Sequence, residues 1–197
     1  MEEKDAKTVW HCPYWRVETR KFRSGDGEEH IWYSAKRPNP ETVHILGLTN
    51  DGLVPVIRQW RYPLEAPVWE LPAGLCDIEG EAMTQTALRE LEEETGYRGQ
   101  QVLHLMRGTV TPGLSDEMYN AFLALGLEKV SAGGGTASED IEVELVPFAE
   151  LFDTMLARSR AGELVDSKIF SHIGLAVHML GELNSQLDRM ERGQQDD

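Results

Sequence analysis

The chain has 197 residues, 41% of them hydrophobic, with 34 acidic side chains against 19 basic ones and a formal charge of −15. One domain with a core and an N-terminal extension fits that length. The charge argues against nucleic-acid backbones and anionic membranes as partners, and an anionic substrate would need bound cations or a local basic patch.

Cys12 and Cys76 are too few for a disulfide framework and fit reduced thiols in a cytoplasmic protein. The opening residues Met1 to Lys7 do not form a signal peptide, and no apolar run reaches membrane-spanning length. Residues 9 to 23, with Trp10, Tyr14, Trp15, Val17 and Phe22, are β-prone; Ser24 to Gly27 is a turn, and His30 to Lys36 a second strand. Together they predict an N-terminal hairpin within a β-rich extension, residues 1–40, closed by Pro38-Asn39-Pro40. Thr42 to Leu48 reads as a buried strand, and Leu53 to Trp60 as its hairpin partner after an Asn50-Asp51-Gly52 turn. Val68 to Leu71 is a short strand, and Pro72-Ala73-Gly74 opens a loop.

A helix is expected from near Glu81 to Gly96, with Glu81 in its acid-favouring first turn and Gly96 supplying a left-handed C-terminus. Strands follow at Gln100 to Arg107, Met118 to Leu125 and Ile141 to Leu145, with a small-residue, flexible loop at Ser131 to Ser138. Helices are expected at Pro147 to Ala161 and Asp166 to Leu187. The main domain spans residues 41–190 and the tail, 191–197, is expected to be disordered. This order of elements predicts an α/β sandwich with helices on both faces of a mixed sheet.

The helix carries the chemistry. Glu90, Glu92, Glu93 and Glu94 crowd into five positions. Glu90 and Glu94 share a face, flanked by Glu93, at the edge of the apolar arc of Met83, Ala87 and Leu91, whereas Glu92 points away. Close carboxylate pairs repel by about 3 kcal/mol at an effective dielectric near 20. A cation therefore belongs between them, either Arg89 or a divalent metal. An oxygen-only donor set without His or Cys at ligand spacing favours Mg²⁺, with Mn²⁺ as the alternative, and Mg²⁺ prefers sites shared with substrate phosphates.

From Glu81 to Tyr97 the segment resembles the Nudix hydrolase signature, Gly-x5-Glu-x7-Arg-Glu-U-x-Glu-Glu-x-Gly-U, where U is apolar: Glu81, Arg89-Glu90-Leu91, Glu93-Glu94 and Gly96-Tyr97 all match. Gly74 departs from it, lying seven positions before Glu81 rather than six. The resemblance implies the Nudix α/β/α fold and hydrolysis of a diphosphate. It also implies Glu90 and Glu94 as principal metal ligands, Glu93 as a supporting one, the Ala73 carbonyl as another, and Arg89 as a structural partner of Glu81 or Glu93.

Three stretches are similar to the ADP-ribose pyrophosphatase subgroup: Thr111 to Glu117, with Pro112 sixteen residues past Gly96; Arg58-Gln59-Trp60-Arg61-Tyr62-Pro63; and Trp69 to Gly74. They imply a nucleotide-sugar substrate, ADP-ribose first, with Arg61 contacting it. Another nucleotide sugar such as GDP-mannose is the alternative, and a non-catalytic ADP-ribose sensor the reading from a different class. The subgroup further implies a swapped homodimer in which Trp15 and Trp32 sandwich the adenine and Arg37 contacts phosphate or base. Core or interface roles for the two tryptophans stand beside that reading. The subgroup's base-bearing segment resembles Ser138 to Val143, which makes Glu139 the first candidate general base, ahead of Glu142, which alternation turns outward, and Glu117. None of the six histidines has ligand spacing, and none is expected to act.

Overall fold

The computed structural model describes residues 6–135 and 140–193. The N-terminal extension is a three-stranded antiparallel meander of β1 (Ala6–His11), β2 (Arg16–Arg23) and β3 (Glu29–Lys36), one strand more than the expected hairpin. The additional turn is made where the Cys12 amide donates to the Trp15 carbonyl at 2.7 Å, splitting the aromatic stretch in two.

The main domain contains β4 (Glu41–Thr49), β5 (Leu53–Arg61), β6 (Ala66–Glu70), β7 (Ala73–Leu75), α1 (Met83–Thr95), β8 (Tyr97–Arg98), β9 (Gln101–Thr109), β10 (Met118–Lys129), β11 (Ile141–Pro147), α2 (Phe148–Arg160), β12 (Leu164–Val165) and α3 (Lys168–Gly193). Its strands form two hydrogen-bonded groups. One runs β7-β4-β10-β8 with β9 also paired to β10; the other runs β11-β5-β6-β12. β4 and β10 are parallel, with antiparallel neighbours around them, so the sheet is mixed as expected.

The expected β4–β5 hairpin does not form. The chain does turn at Asp51-Gly52, but β4 pairs with β10 and β7, while β5 pairs with β11 and β6. Both strands are buried along most of their length, so each seeks neighbours on both edges and the two pack against each other instead. Apolar residues of both strand groups, such as Leu46, Leu123, Val54 and Val56, meet Leu151 and Met155 of α2 and Ile169 and Ile173 of α3 in the larger core. On the other side, Val43, Ile45 and Phe122 receive Ala87 and Leu91 of α1. Complete burial of Leu91 stabilises this packing by about 1.5–3 kcal/mol. That seam holds the acid-bearing helix against β4 and β7.

Candidate active site

Helix α1 begins slightly later than the sequence suggests. Glu81 lies ahead of Ala82, the N-cap, not in the first turn. Ala82 has no side-chain acceptor, and the Gln85 side chain takes the Ala82 amide at 3.2 Å instead. Glu81 is thereby free to receive the Thr86 hydroxyl at 2.8 Å and the Arg89 fork at 3.0 and 3.1 Å. This arm makes Arg89 structural, as the signature implies. Hydrogen bonding to Glu81 raises the Arg89 pKa, and the bond from Arg89 lowers that of Glu81. At its far end the helix stops at Gly96, whose φ of 74° is left-handed and whose amide reaches the Glu92 carbonyl.

Arg89 also donates to Glu90 at 2.6 Å and to Glu93 at 3.3 Å. One guanidinium thus faces three carboxylates. Glu94 adds a fourth; it is buried and accepts the Ala73 amide at 3.0 Å. Glu92 turns away, as the helical periodicity requires, and pairs with Arg98 at the surface. Gly74 stands against Glu90 so closely that a Cβ there would fall on the Glu90 carboxyl. Between Gly74 and Glu81 the chain makes a turn where the Glu81 amide reaches the Ile78 carbonyl at 3.2 Å and Gly80 has φ 81°.

These groups open onto one cleft of about 470 Å³. It is lined by Ala73, Glu90, Glu93 and Glu94, by Asp77 and Glu117, and by Arg37, Arg61 and Arg89. Five carboxylates face three guanidiniums, so the cleft stays electronegative and would repel a diphosphate unless cations joined it. Among the described residues no three carboxylate, thiol or imidazole groups form a ready-made cage. Mg²⁺ keeps waters and shares substrate oxygens, so it does not require a complete protein cage. The all-oxygen set of Glu90, Glu93, Glu94 and the Ala73 carbonyl therefore fits the expected metal.

Arg61 reaches the cleft from the end of β5, held in a two-pronged pair with the buried Glu70 carboxylate. That bond raises the Arg61 pKa. Arg37 follows β3. Its guanidinium lies 4.1 Å from the centre of the Trp15 ring, and its Nε is 3.5 Å from Glu117. The loop carrying Glu117 is stitched to β3: the Ala35 amide donates to the Leu114 carbonyl at 2.8 Å and the Trp32 indole to the Gly113 carbonyl at 3.1 Å. Trp32 lines a separate, largely apolar hollow of about 400 Å³ with Phe22, Arg20 and Lys36. Within one chain, then, Trp15 stands behind Arg37 at the cleft while Trp32 does not reach it. Glu139 lies outside the described residues. Glu142 faces outward and pairs with Arg58 at 3.4 Å.

The sequence did not single out His44, which also lines the cleft. It is a buried residue of β4, in register with Ala73 of β7. A lone histidine between Val43 and Ile45 carries no ligand spacing, so only the strand's inward face could have marked it.

A sandwich with carboxylates of one helix and a glycine-opened loop converging on an electronegative cleft is a scaffold for hydrolysing anionic substrates with the help of cations. The NUDIX domain model matches residues 38–166, and the chain belongs to the Nudix family. It is 36% identical over 130 residues to the methanol dehydrogenase activator of Bacillus methanolicus, covering 66% of this chain and 68% of that protein. It is also 36% identical over 137 residues to the ADP-ribose pyrophosphatase of Mycobacterium tuberculosis, covering 69% of this chain and 64% of that one. The matched segments thus span about two thirds of each relative's length. A crystal structure described as an ADP compounds hydrolase superposes with a TM-score of 0.77 over 91% of this chain and 93% of that chain, at 22% identity, which establishes the shared fold.

Proposed function

We propose that the chain hydrolyses the diphosphate of a nucleotide sugar with Mg²⁺, or Mn²⁺ in its place, and that ADP-ribose is the principal substrate. AMP and ribose 5-phosphate are the products. The single observation that supports this most is the common cleft of Glu90, Glu93, Glu94 and Ala73 with Arg61 and Arg37. Carboxylates for cations and guanidiniums for phosphate oxygens face one another across a space of nucleotide size. The name of the Mycobacterium tuberculosis relative points to the same substrate.

In this reading Glu90 and Glu94 are the main metal ligands, with Glu93 and the Ala73 carbonyl beside them. Bound Mg²⁺ supplies neutralisation of the diphosphate and a more acidic water. Arg89 keeps Glu90 and Glu93 extended towards the cleft. Arg61 and Arg37 hold the phosphate and base portions, Arg37 backed by the Trp15 face. Glu139 receives the proton of the attacking water. Water adds to one phosphorus as the bridging P–O bond breaks, and the leaving phosphate takes the electron pair.

The exposed Val9, Trp10, Ile31, Trp32 and Tyr33 of the N-terminal meander suit a homodimer in which Trp15 and Trp32 of different subunits flank the adenine. Residues 1–40 form that dimer-swapping extension, and residues 41–190 the catalytic domain. No helix of the described residues is long and apolar enough to cross a membrane. A cytoplasmic location with no nucleic-acid or membrane partner completes the proposal.

The test is turnover of ADP-ribose, ADP-glucose, GDP-mannose, UDP-glucose and NADH by the purified chain with Mg²⁺, products resolved by chromatography. Cleavage of ADP-ribose with the highest kcat/KM is expected. GDP-mannose as the best substrate moves the assignment to that sugar. No cleavage of any member overturns it in favour of a binding-only role.

A further inference from the structure

Of the polar groups at the cleft, the reaction outlined above leaves His44 unused, together with Thr42, Asp77 and Glu117. The His44 ring is buried, edge-on to Tyr119 at 5.8 Å between centroids and tilted against His172 at 6.4 Å. Its Nε2 lies 3.3 Å from the Thr42 hydroxyl, and that hydroxyl donates its single proton to the Met118 carbonyl at 3.1 Å. The Thr42 oxygen is then an acceptor towards His44, so Nε2 carries the ring proton. The lone pair is left on Nδ1. Among the described residues Nδ1 has no hydrogen-bond partner, and it is not one of the fully enclosed polar atoms that lack one. The ring lines the cleft.

We infer that His44 is a specificity-determining residue whose Nδ1 accepts a hydrogen bond from a sugar hydroxyl of the bound nucleotide sugar. Apart from the Thr42 hydroxyl, which is engaged with His44 and the Met118 carbonyl, the other polar side chains of the cleft are charged. The guanidiniums can only donate; Glu90 and Glu93 face Arg89, Glu117 faces Arg37, and Glu94 accepts the Ala73 amide. A neutral imidazole lone pair repels a phosphate oxygen and receives a hydroxyl, so it marks where sugar, not phosphate, rests. Burial, reinforced by the nearby Lys168, His172 and Arg61, keeps the ring neutral. Thr42 and Tyr119 fix its plane, which is what a directional acceptor requires.

The inference rests on the proposed nucleotide-sugar activity. Its test compares ADP-ribose with analogues that each lack one hydroxyl of the distal ribose, using the full chain and its His44→Val and His44→Gln variants. For the native chain one analogue should lose roughly tenfold or more in kcat/KM, since an unpaired buried acceptor costs about 1–3 kcal/mol. His44→Val should cleave that analogue and ADP-ribose at equal kcat/KM, with the other analogues' ratios unchanged. His44→Gln, whose amide oxygen accepts, should restore part of the discrimination. The same ratios should be found in calorimetric binding with Mg²⁺ to the three proteins carrying Glu139→Gln as well, which separates recognition from turnover. If the variants fold and discriminate as the native chain does, His44 is a core histidine and the inference is overturned. If the native chain cleaves ADP-ribose yet no analogue differs, it is overturned as well. Failure of the native chain to cleave any nucleotide sugar instead removes the proposed function, and this inference with it.

Discussion

The Gly134 amide donates to the main-chain carbonyl of Glu94 across 2.8 Å, and the next residue, Gly135, does the same for Glu93 at 3.0 Å. The last carbonyls of a helix have no partner within it. Here a glycine run supplies them, because Gly133, Gly134 and Gly135 all have left-handed φ, at 72°, 100° and 74°. Lys129 completes the arrangement, its ammonium 2.8 Å from the Thr95 carbonyl at the negative end of the helix dipole. A stretch that composition marks as flexible is therefore, through Gly135, a clamp on the carboxylate-bearing turn.

Gly133→Ala should damage that clamp most. A Cβ there runs into the main chain of Thr95 and Gly96, and the left-handed φ alone costs about 1–2 kcal/mol. A Tm lower by roughly 4–8 °C is expected for a loss of about 2 kcal/mol, along with reduced kcat. Gly134→Ala meets nothing closer than 4.0 Å and bears only the backbone strain. Thermal melts of the two variants should rank in that order. Equal melting temperatures would remove the clamp's steric basis.

Glu90→Gln and Glu94→Gln preserve shape and remove charge. In the Glu94→Gln variant the side-chain amide oxygen still accepts the Ala73 amide, so stability should change little. Turnover with Mg²⁺ should fall by roughly 10²-fold or more, the scale of losing one preorganised electrostatic contact to the transition state. Glu92→Gln, whose parent pairs with Arg98 outside the cleft, should retain full turnover.

Arg89→Met removes the cation that faces Glu81, Glu90 and Glu93. Repulsion among the exposed and half-buried acids should then lower Tm in metal-free buffer. Millimolar Mg²⁺ should recover more of that loss in the variant than it adds to the native chain, because bound ligand stabilises by mass action and the variant has more uncompensated charge. Identical Mg²⁺ increments in the two proteins would argue against a metal between these carboxylates.

Glu117 and Glu139 are separable by kinetics. Glu117 lies beside Arg37 in the cleft, so Glu117→Gln should raise KM through Arg37 and leave kcat within a few-fold. Glu139→Gln should lower kcat by about 10²–10⁴-fold, the usual contribution of a general base. The reverse pattern would give Glu117 the base's role.

The helix α1, its C-terminal glycine and the roles of Glu81 and Arg89 were legible because they depend on spacing within one helix. The strands at Leu53, Met118 and Ile141 were legible from their apolar runs. What could not be read were pairings between distant segments. β4 finds its parallel partner β10 far along the chain, and the local Asp51-Gly52 turn gives no sign of it. The glycine clamp escaped for the same reason: Gly134 reads as flexible until its hydrogen-bond partner, Glu94, is known. His44 escaped because a single polar residue in an apolar strand resembles an ordinary core histidine.

His172 should make stability pH-dependent near neutrality. The ring is fully buried, with Nδ1 2.8 Å from the Lys168 carbonyl and Nε2 3.2 Å from the His44 carbonyl, which ties α3 to β4. Burial is the largest influence and pushes its pKa below the ordinary 6.5, against opposing contributions from those carbonyls and Asp166. A histidine depressed in the folded state takes up its proton more readily when unfolded. The stability it contributes is therefore fully present above about pH 6.5 and is lost as pH falls towards the folded-state value. The limiting slope is about 1.4 kcal/mol per pH unit for one group. Carboxylates such as Glu41, lowered by its bond to Arg107, change charge below 4.5 and lie outside this window. Urea unfolding at pH 7.5, 6.5 and 5.5 should show the native chain weakening with acidification. His172→Gln, which keeps one donor for the Lys168 carbonyl, should weaken less steeply, with a residual slope from His44, whose pKa burial also lowers. Parallel slopes in the two proteins would show that His172 keeps the same protonation in the folded and unfolded chain.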